Sequence, residues 1–144
     1  MLTLAPHLRV IAFVDGFNLY HAIDDLKQNH LKWVNLWVLC ANFAPQPLLQ
    51  LTKVHYFSAY ATWKPSSYKR HREYVKALVA AGVVPVMGKF KEKTRTCPDC
   101  HQTRIYHEEK ETDVNIALAL LTGALKDEYD RALLIGDVPC SVET

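Results

Sequence analysis

The 144 residues are 49% hydrophobic and 22% charged, enough for one domain with its own core and too apolar for wholesale disorder. The longest apolar runs, such as Ile116–Leu121, fall far short of the ~18–20 residues of a membrane span, and residues 1–14 hold only Arg9 without a signal-peptide layout, so a cytoplasmic location is expected. The net charge of +2 hides a basic middle, with eleven Lys/Arg against three acids in residues 53–104, and flanks with six against twelve; this suits a polyanion held near a metal, and equally a soluble protein with uneven loops.

Arg9–Val14 is a short β-rich apolar run ending at Asp15-Gly16 and reads as a buried strand. Phe17–Leu26 spaces Leu19, Tyr20, Ile23 and Leu26 as an amphipathic helix does. Leu31–Phe43 predicts a second helix with Leu36, Leu39, Cys40 and Phe43 on one stripe, ended by Pro45 and Pro47. Leu51–Ala59 has strand character. Pro65 opens a helix that runs to Ala81, with Gly82 as its stop signal. Val83–Met87 predicts a strand that extends through Lys93, and residues 94–107, with Cys-Pro-Asp-Cys, an inserted loop. Glu111–Glu128 predicts a helix anchored by Val114, Ala117, Leu118, Leu121 and Leu125, and Ala132–Ile135 a final buried strand leading into Gly136-Asp137. Strands alternating with helices predict a single α/β domain over 1–144, a three-layer sandwich with a parallel sheet. Asp15 and Asp137 would then share the carboxyl edge, where such sheets place ligands.

Three aspartates carry the candidate chemistry. Asp15 and Asp137 end strands, and Asp113 lies in the first turn of the last helix. Oxygen-only donors converging on one point select Mg²⁺ or Mn²⁺ and support water attack on a phosphodiester. Each also has a plainer reading: Asp15 and Asn18 as helix caps, Asp113 as a charge favoured by the helix dipole. Glu108, Glu109 and Glu111 are expected to be solvated. No Walker-type loop or GxGxxG occurs.

Lys89, Lys91, Lys93 and Arg95 recur at every second residue, so an extended chain would project all four from one side, as a rail for phosphates or as protection of a sheet edge. Lys64, Lys69, Arg70 and Arg72, with Trp63 and Tyr68, form a second basic and aromatic cluster suited to single strands. Four cysteines without a secretory layout read as reduced thiols or metal ligands. Cys97 and Cys100 could hold half of a tetrahedral zinc site, with His101 and His107 as further ligands. A metal-free loop, a redox pair and CxxCH haem attachment are the alternatives, the last two disfavoured by context.

Val14-Asp15-Gly16-Phe17-Asn18-Leu19-Tyr20, Lys110-Glu111-Thr112-Asp113-Val114 and Tyr129-Asp130-Arg131-Ala132-Leu133-Leu134-Ile135-Gly136-Asp137 together closely resemble the NYN-domain family, including its LabA-like branch of the PIN-like nucleases. Members similar to this sequence also carry a CxxC insertion before the acidic helix. The resemblance implies a PIN-like fold, an acidic pocket for Mg²⁺ or Mn²⁺, and ribonuclease activity. By position, Asp15, Asn18, Asp113 and Asp137 would be the catalytic set, with the three aspartates holding the cation and Asn18 fixing a ligand or phosphate oxygen. One departure stands out. The family reads Ser-Gly-Asp-Ser-Asp after its last motif strand and continues through a further helix and strand, whereas here Ile135-Gly136-Asp137-Val138-Pro139-Cys140 leads to Thr144.

The expectation is therefore a metal-dependent endoribonuclease lacking the last βα portion, with RNA as partner and a second copy or another protein covering the shortened edge. The alternative is a catalytically impaired member that binds RNA or protein. A haloacid-dehalogenase-like phosphatase needs an acid two residues after its aspartate, where Phe17 stands, and a zinc-stabilised interaction module is a further rival.

Overall fold

A computed structural model describes residues 7–109 and 111–136. Its centre is β1 (Leu8–Asp15), whose last six residues are all buried. Successive side chains of a strand point to opposite faces, and a run without polar interruption forms where both faces are covered. β1 pairs in parallel with β2 (Leu49–Ala59) on one side and β6 (Arg131–Ile135) on the other, and β2 pairs in parallel with β3 (Val84–Gly88). The four-stranded order is β3-β2-β1-β6.

Both faces carry helices, giving a Rossmann-like α/β sandwich. Ala12, Val14, Val54 and Tyr56 meet Leu36 and Cys40 of α2 (Leu36–Ala41) and Val75 and Leu78 of α3 (Pro65–Ala80). Leu19 of α1 (Gly16–Asp25) packs against the same cluster. On the opposite face Ile11, Phe13 and Phe57 meet Ile116 of α4 (Thr112–Leu125). At the amino edge, Arg9 grips both carboxylate oxygens of Asp130 and the backbone and side chain of Asp127, tying β1 to the turn before β6.

Several expectations change. The helix predicted over 31–43 is broken: a 3₁₀ turn spans Asn29–Trp33, and Asn35 caps α2 by accepting hydrogen bonds from the Trp37 and Val38 N–H groups. Phe43 is exposed rather than packed. The strand after Gly82, whose φ of +93° suits its turn, stops at Gly88. Phe90–Thr96 (β4) pairs instead with Thr103–Glu109 (β5), so the expected loop is an antiparallel ribbon separate from the main sheet.

α4 presents another face than expected. Val114, Leu118, Leu121 and Leu125 are exposed, while Ile116, Ala119 and Leu120 face the core. Tyr129 decides the rotation. Its hydroxyl donates to the Leu120 carbonyl at 2.7 Å, and its ring lies where a Cβ on Gly123 would come within 2.8 Å. Among the described residues no helix is long and apolar enough to cross a membrane.

Candidate functional site

From β1 the chain steps outward to β2 and β3, then returns through α4 on the other face to β6. The strand order thus reverses between β1 and β6, and crevices at such a reversal, outside the carboxyl ends of the strands, are where open α/β sheets hold ligands. Asp15 is the residue at the carboxyl end of β1. Gly136 follows β6 beside it, where a Cβ would stand 3.3 Å from that of Asp15. Asp137, the third expected carboxylate, lies outside the described residues.

Asp15 is 6% exposed and caps α1. Its Oδ1 accepts from the N–H groups of Phe17 at 3.1 Å and Asn18 at 3.2 Å, and its Oδ2 accepts from the Asn18 amide at 2.9 Å. Asn18 therefore orients the carboxylate. Burial pushes the Asp15 carboxyl above its ordinary range, as does the negative charge of Asp113, while the hydrogen bonds from Asn18 and Phe17 oppose the rise. Gly16 is required by close approach: a Cβ there would lie 2.4 Å from the Tyr56 ring.

Asp113 occupies the first turn of α4 as expected, exposed at the same end of the sheet. Glu109 does not behave as the solvated charge that its sequence context predicts. It ends β5 half-buried, accepts a hydrogen bond from the Thr112 hydroxyl, and is pushed up by burial with further repulsion from Asp15 and Asp113. Three carboxylates from β1, β5 and α4 thus lie within electrostatic reach of one another. Among the described residues no group of three or more His, Cys, Asp or Glu side chains is arranged to hold a metal.

Beneath them is a polar layer that sequence reasoning missed. The Tyr56 hydroxyl lies 3.1 Å from His71 Nε2, and the Ser58 hydroxyl 3.5 Å from the same nitrogen. Burial raises the Tyr56 phenol to about 12 and lowers the His71 imidazole, so this layer is neutral near neutral pH. Alternation along β2 was the available signal, since Tyr56 and Ser58 share a face at the strand's carboxyl end.

The basic residues flank this edge. Lys64 immediately precedes α3, and Lys69, Arg70 and Arg72 are exposed along its first half, which starts from the carboxyl end of β2. Arg72 lies over the Tyr68 ring at 5.5 Å, and Tyr68 meets Tyr60 edge-on. Trp63 is engaged within the fold: its ring stacks on His107 at 3.5 Å and meets Phe90 edge-on at 4.8 Å, clamping the ribbon base to the loop after β2.

The expected rail is shorter than four residues. Lys91, Lys93 and Arg95 share one ribbon face, but Lys89 lies between β3 and β4. Lys93 is ion-paired with Glu108, and Arg95 lies 5.5 Å over the Tyr106 ring. Among the described residues the ribbon pairs with itself and not with the main sheet, so β4 is an edge strand of the ribbon, where its charges also fit the protection of a sheet edge.

Cys97 and Cys100 form the ribbon tip, but His107 does not join them. It sits opposite Glu92, four residues along β5 from Thr103, a separation of about 14 Å at the ~3.4 Å rise of an antiparallel strand. Comparison with protein-family models, curated proteins and solved structures returned no match.

Proposed function

We propose that this chain is a metal-dependent endoribonuclease of PIN-like type, hydrolysing RNA phosphodiester bonds at the carboxyl edge of its sheet. The observation that carries this reading is the placement of Asp15 at the strand-order reversal, with Glu109 and Asp113 brought to it from elements 94 and 98 residues away in the chain. The family resemblance of the motifs around Asp15, Asp113 and Asp137 supports the same reading.

The donor set fits a hard divalent cation in kind. Asp15 and Asp113, with Asp137, would hold Mg²⁺ or Mn²⁺, and Glu109 adds a carboxylate that sequence reasoning left out. A cation there would also relieve the repulsion that raises Asp15 and Glu109. When bound, such an ion neutralises charge on phosphoryl oxygens and makes water a better nucleophile. The protein's own part is positional. Asn18 fixes the Asp15 carboxylate, Gly16 and Gly136 let neighbouring groups approach, and Glu109 holds a proton on its carboxyl more readily than an exposed glutamate does. The cations of α3 and the ribbon would neutralise phosphates on either side of the scissile linkage.

The second reading is an RNA-binding protein without catalysis. It is favoured by the engagement of both Asp15 oxygens by Phe17 and Asn18, as in a purely structural helix cap. Cleavage of end-labelled single-stranded RNA with Mn²⁺ separates the two. We expect Asp15→Asn and Asp113→Asn to lose at least about 100-fold in rate, about 3 kcal/mol of barrier, while still binding RNA. Equal trace cleavage by all three proteins, with binding retained, would establish the second reading.

A further inference from the structure

The ribbon tip is a separate problem from the acidic edge. Residues 97–102 close the hairpin through two backbone hydrogen bonds, Cys97 N–H to the Gln102 carbonyl and His101 N–H to the Cys97 carbonyl, both at 2.9 Å. His101 takes a positive φ of 55°, which turns the chain back after the second cysteine. Cys97 and Cys100 are thus carried three residues apart on one tight turn, the spacing of a zinc knuckle.

Zinc in a structural site takes four ligands. Within one chain the tip supplies two. His107 is held four residues away against Trp63, and no third His, Cys, Asp or Glu among the described residues is arranged with the pair to hold a metal. Charge gives an independent indication. Arg95 stands directly opposite Arg104 in the ribbon, one step below the pair Thr96 and Thr103 that borders the tip. Like charges opposed across an antiparallel pair destabilise it. A zinc centre with four thiolates carries a formal charge of −2, and the four arginines of two ribbons would surround it with compensating charge. Cys100 and its neighbours Pro98, Asp99, His101 and Gln102 are exposed, so a second tip meets no steric barrier from them. A two-stranded ribbon is also marginal by itself, and a metal at its open end would staple it.

We infer that the tip is half of a tetrahedral zinc site, and that a second copy of this chain supplies the other two thiolates. One zinc then lies on a two-fold axis, each ribbon contributing Cys97 and Cys100, which is the self-complementary arrangement that closes a dimer. Four S–Zn bonds form, four thiol protons pass to water, and no electron changes hands. The inference does not depend on nuclease activity.

The test is native mass spectrometry and sedimentation velocity of the reduced full-length chain, titrated with zinc alone. The expected result is one zinc per two chains and a dimer that a chelator returns to monomer. Cys97→Ser and Cys100→Ser should each remove the zinc-dependent dimer and at least tenfold of zinc affinity, with the far-ultraviolet circular dichroism spectrum retained. Cobalt in place of zinc should show the intense thiolate-to-metal absorption of a four-sulfur site, at half an equivalent. One zinc on a monomer would overturn the inference, with loss on Cys140→Ser identifying a ligand within the chain. So would zinc-free material, or a dimer that survives both serine variants.

Discussion

The acidic edge and the ribbon tip use opposite means to hold polar groups together. Asp15 ends a strand buried on both faces, and its position is fixed by Phe13, Val14 and the ring of Tyr56 against Gly16. The cysteines end a two-stranded ribbon outside the sheet, joined to it at the base by Trp63 against His107 and Phe90. The first has its geometry imposed by packing before any ligand arrives. The second has its geometry imposed by six residues of turn outside the main sheet. Carboxylates suit a hard cation and thiolates a softer one, so the two proposed sites would not compete for the same metal.

Disturbing each region's support in turn sharpens the contrast. The largest stability loss should follow Phe13→Ala, which empties a site 1% exposed between Phe57 and Tyr129; about 3–5 kcal/mol is expected by urea denaturation. Gly16→Val comes next, since its side chain must displace the Tyr56 ring, and about 1–3 kcal/mol is expected together with a displaced Asp15 and loss of cleavage. Trp63→Ala should loosen the ribbon base while leaving the sheet intact. Hydrogen exchange should then rise in β4 and β5 but not in β1, and RNA cleavage should fall because Glu109 loses its place. Ile105→Ala, at a ribbon residue 64% exposed, should change stability by less than about 0.5 kcal/mol. A loss as large as that at Phe13 would mean that the ribbon is part of the core.

The smallest effect expected is one of pH. Asp15 and Glu109 are both raised by burial; the negative charge of Asp113 adds to the rise at Asp15, and those of Asp15 and Asp113 add to it at Glu109. A carboxyl whose pKa is higher folded than unfolded binds more protons in the native state, so these two groups lower stability as pH rises through the ordinary carboxylate range toward neutrality. Glu109→Gln should therefore raise the neutral-pH melting temperature and flatten its fall with pH, while Thr112 keeps an oxygen to donate to. An unchanged profile would mean that Glu109 is solvated after all.

Much of the fold was legible from short patterns. The run into Asp15-Gly16 marked β1, and Pro65 and Gly82 bracketed α3, because strand burial, a proline at the first turn and a glycine stop are local effects. Asp15, Asn18 and Asp113 were legible as candidates for the same reason, each standing at the end of an element. α4 shows where local reasoning stops. Its sequence VNIALALLTGAL is apolar all round, so periodicity does not choose a face, and the choice fell to Tyr129 closing over Gly123. The ribbon was obscured because its strands are charged and its turn resembles a loop.

What the sequence by itself determined is which residues end strands and open helices, since those signals act over a few positions. The tertiary structure alone decided that Glu109 stands with Asp15 and Asp113, and that His107 stands apart from the cysteines. Both follow from chain connections tens of residues long, where strand order and ribbon pairing, rather than spacing along the chain, set which side chains meet.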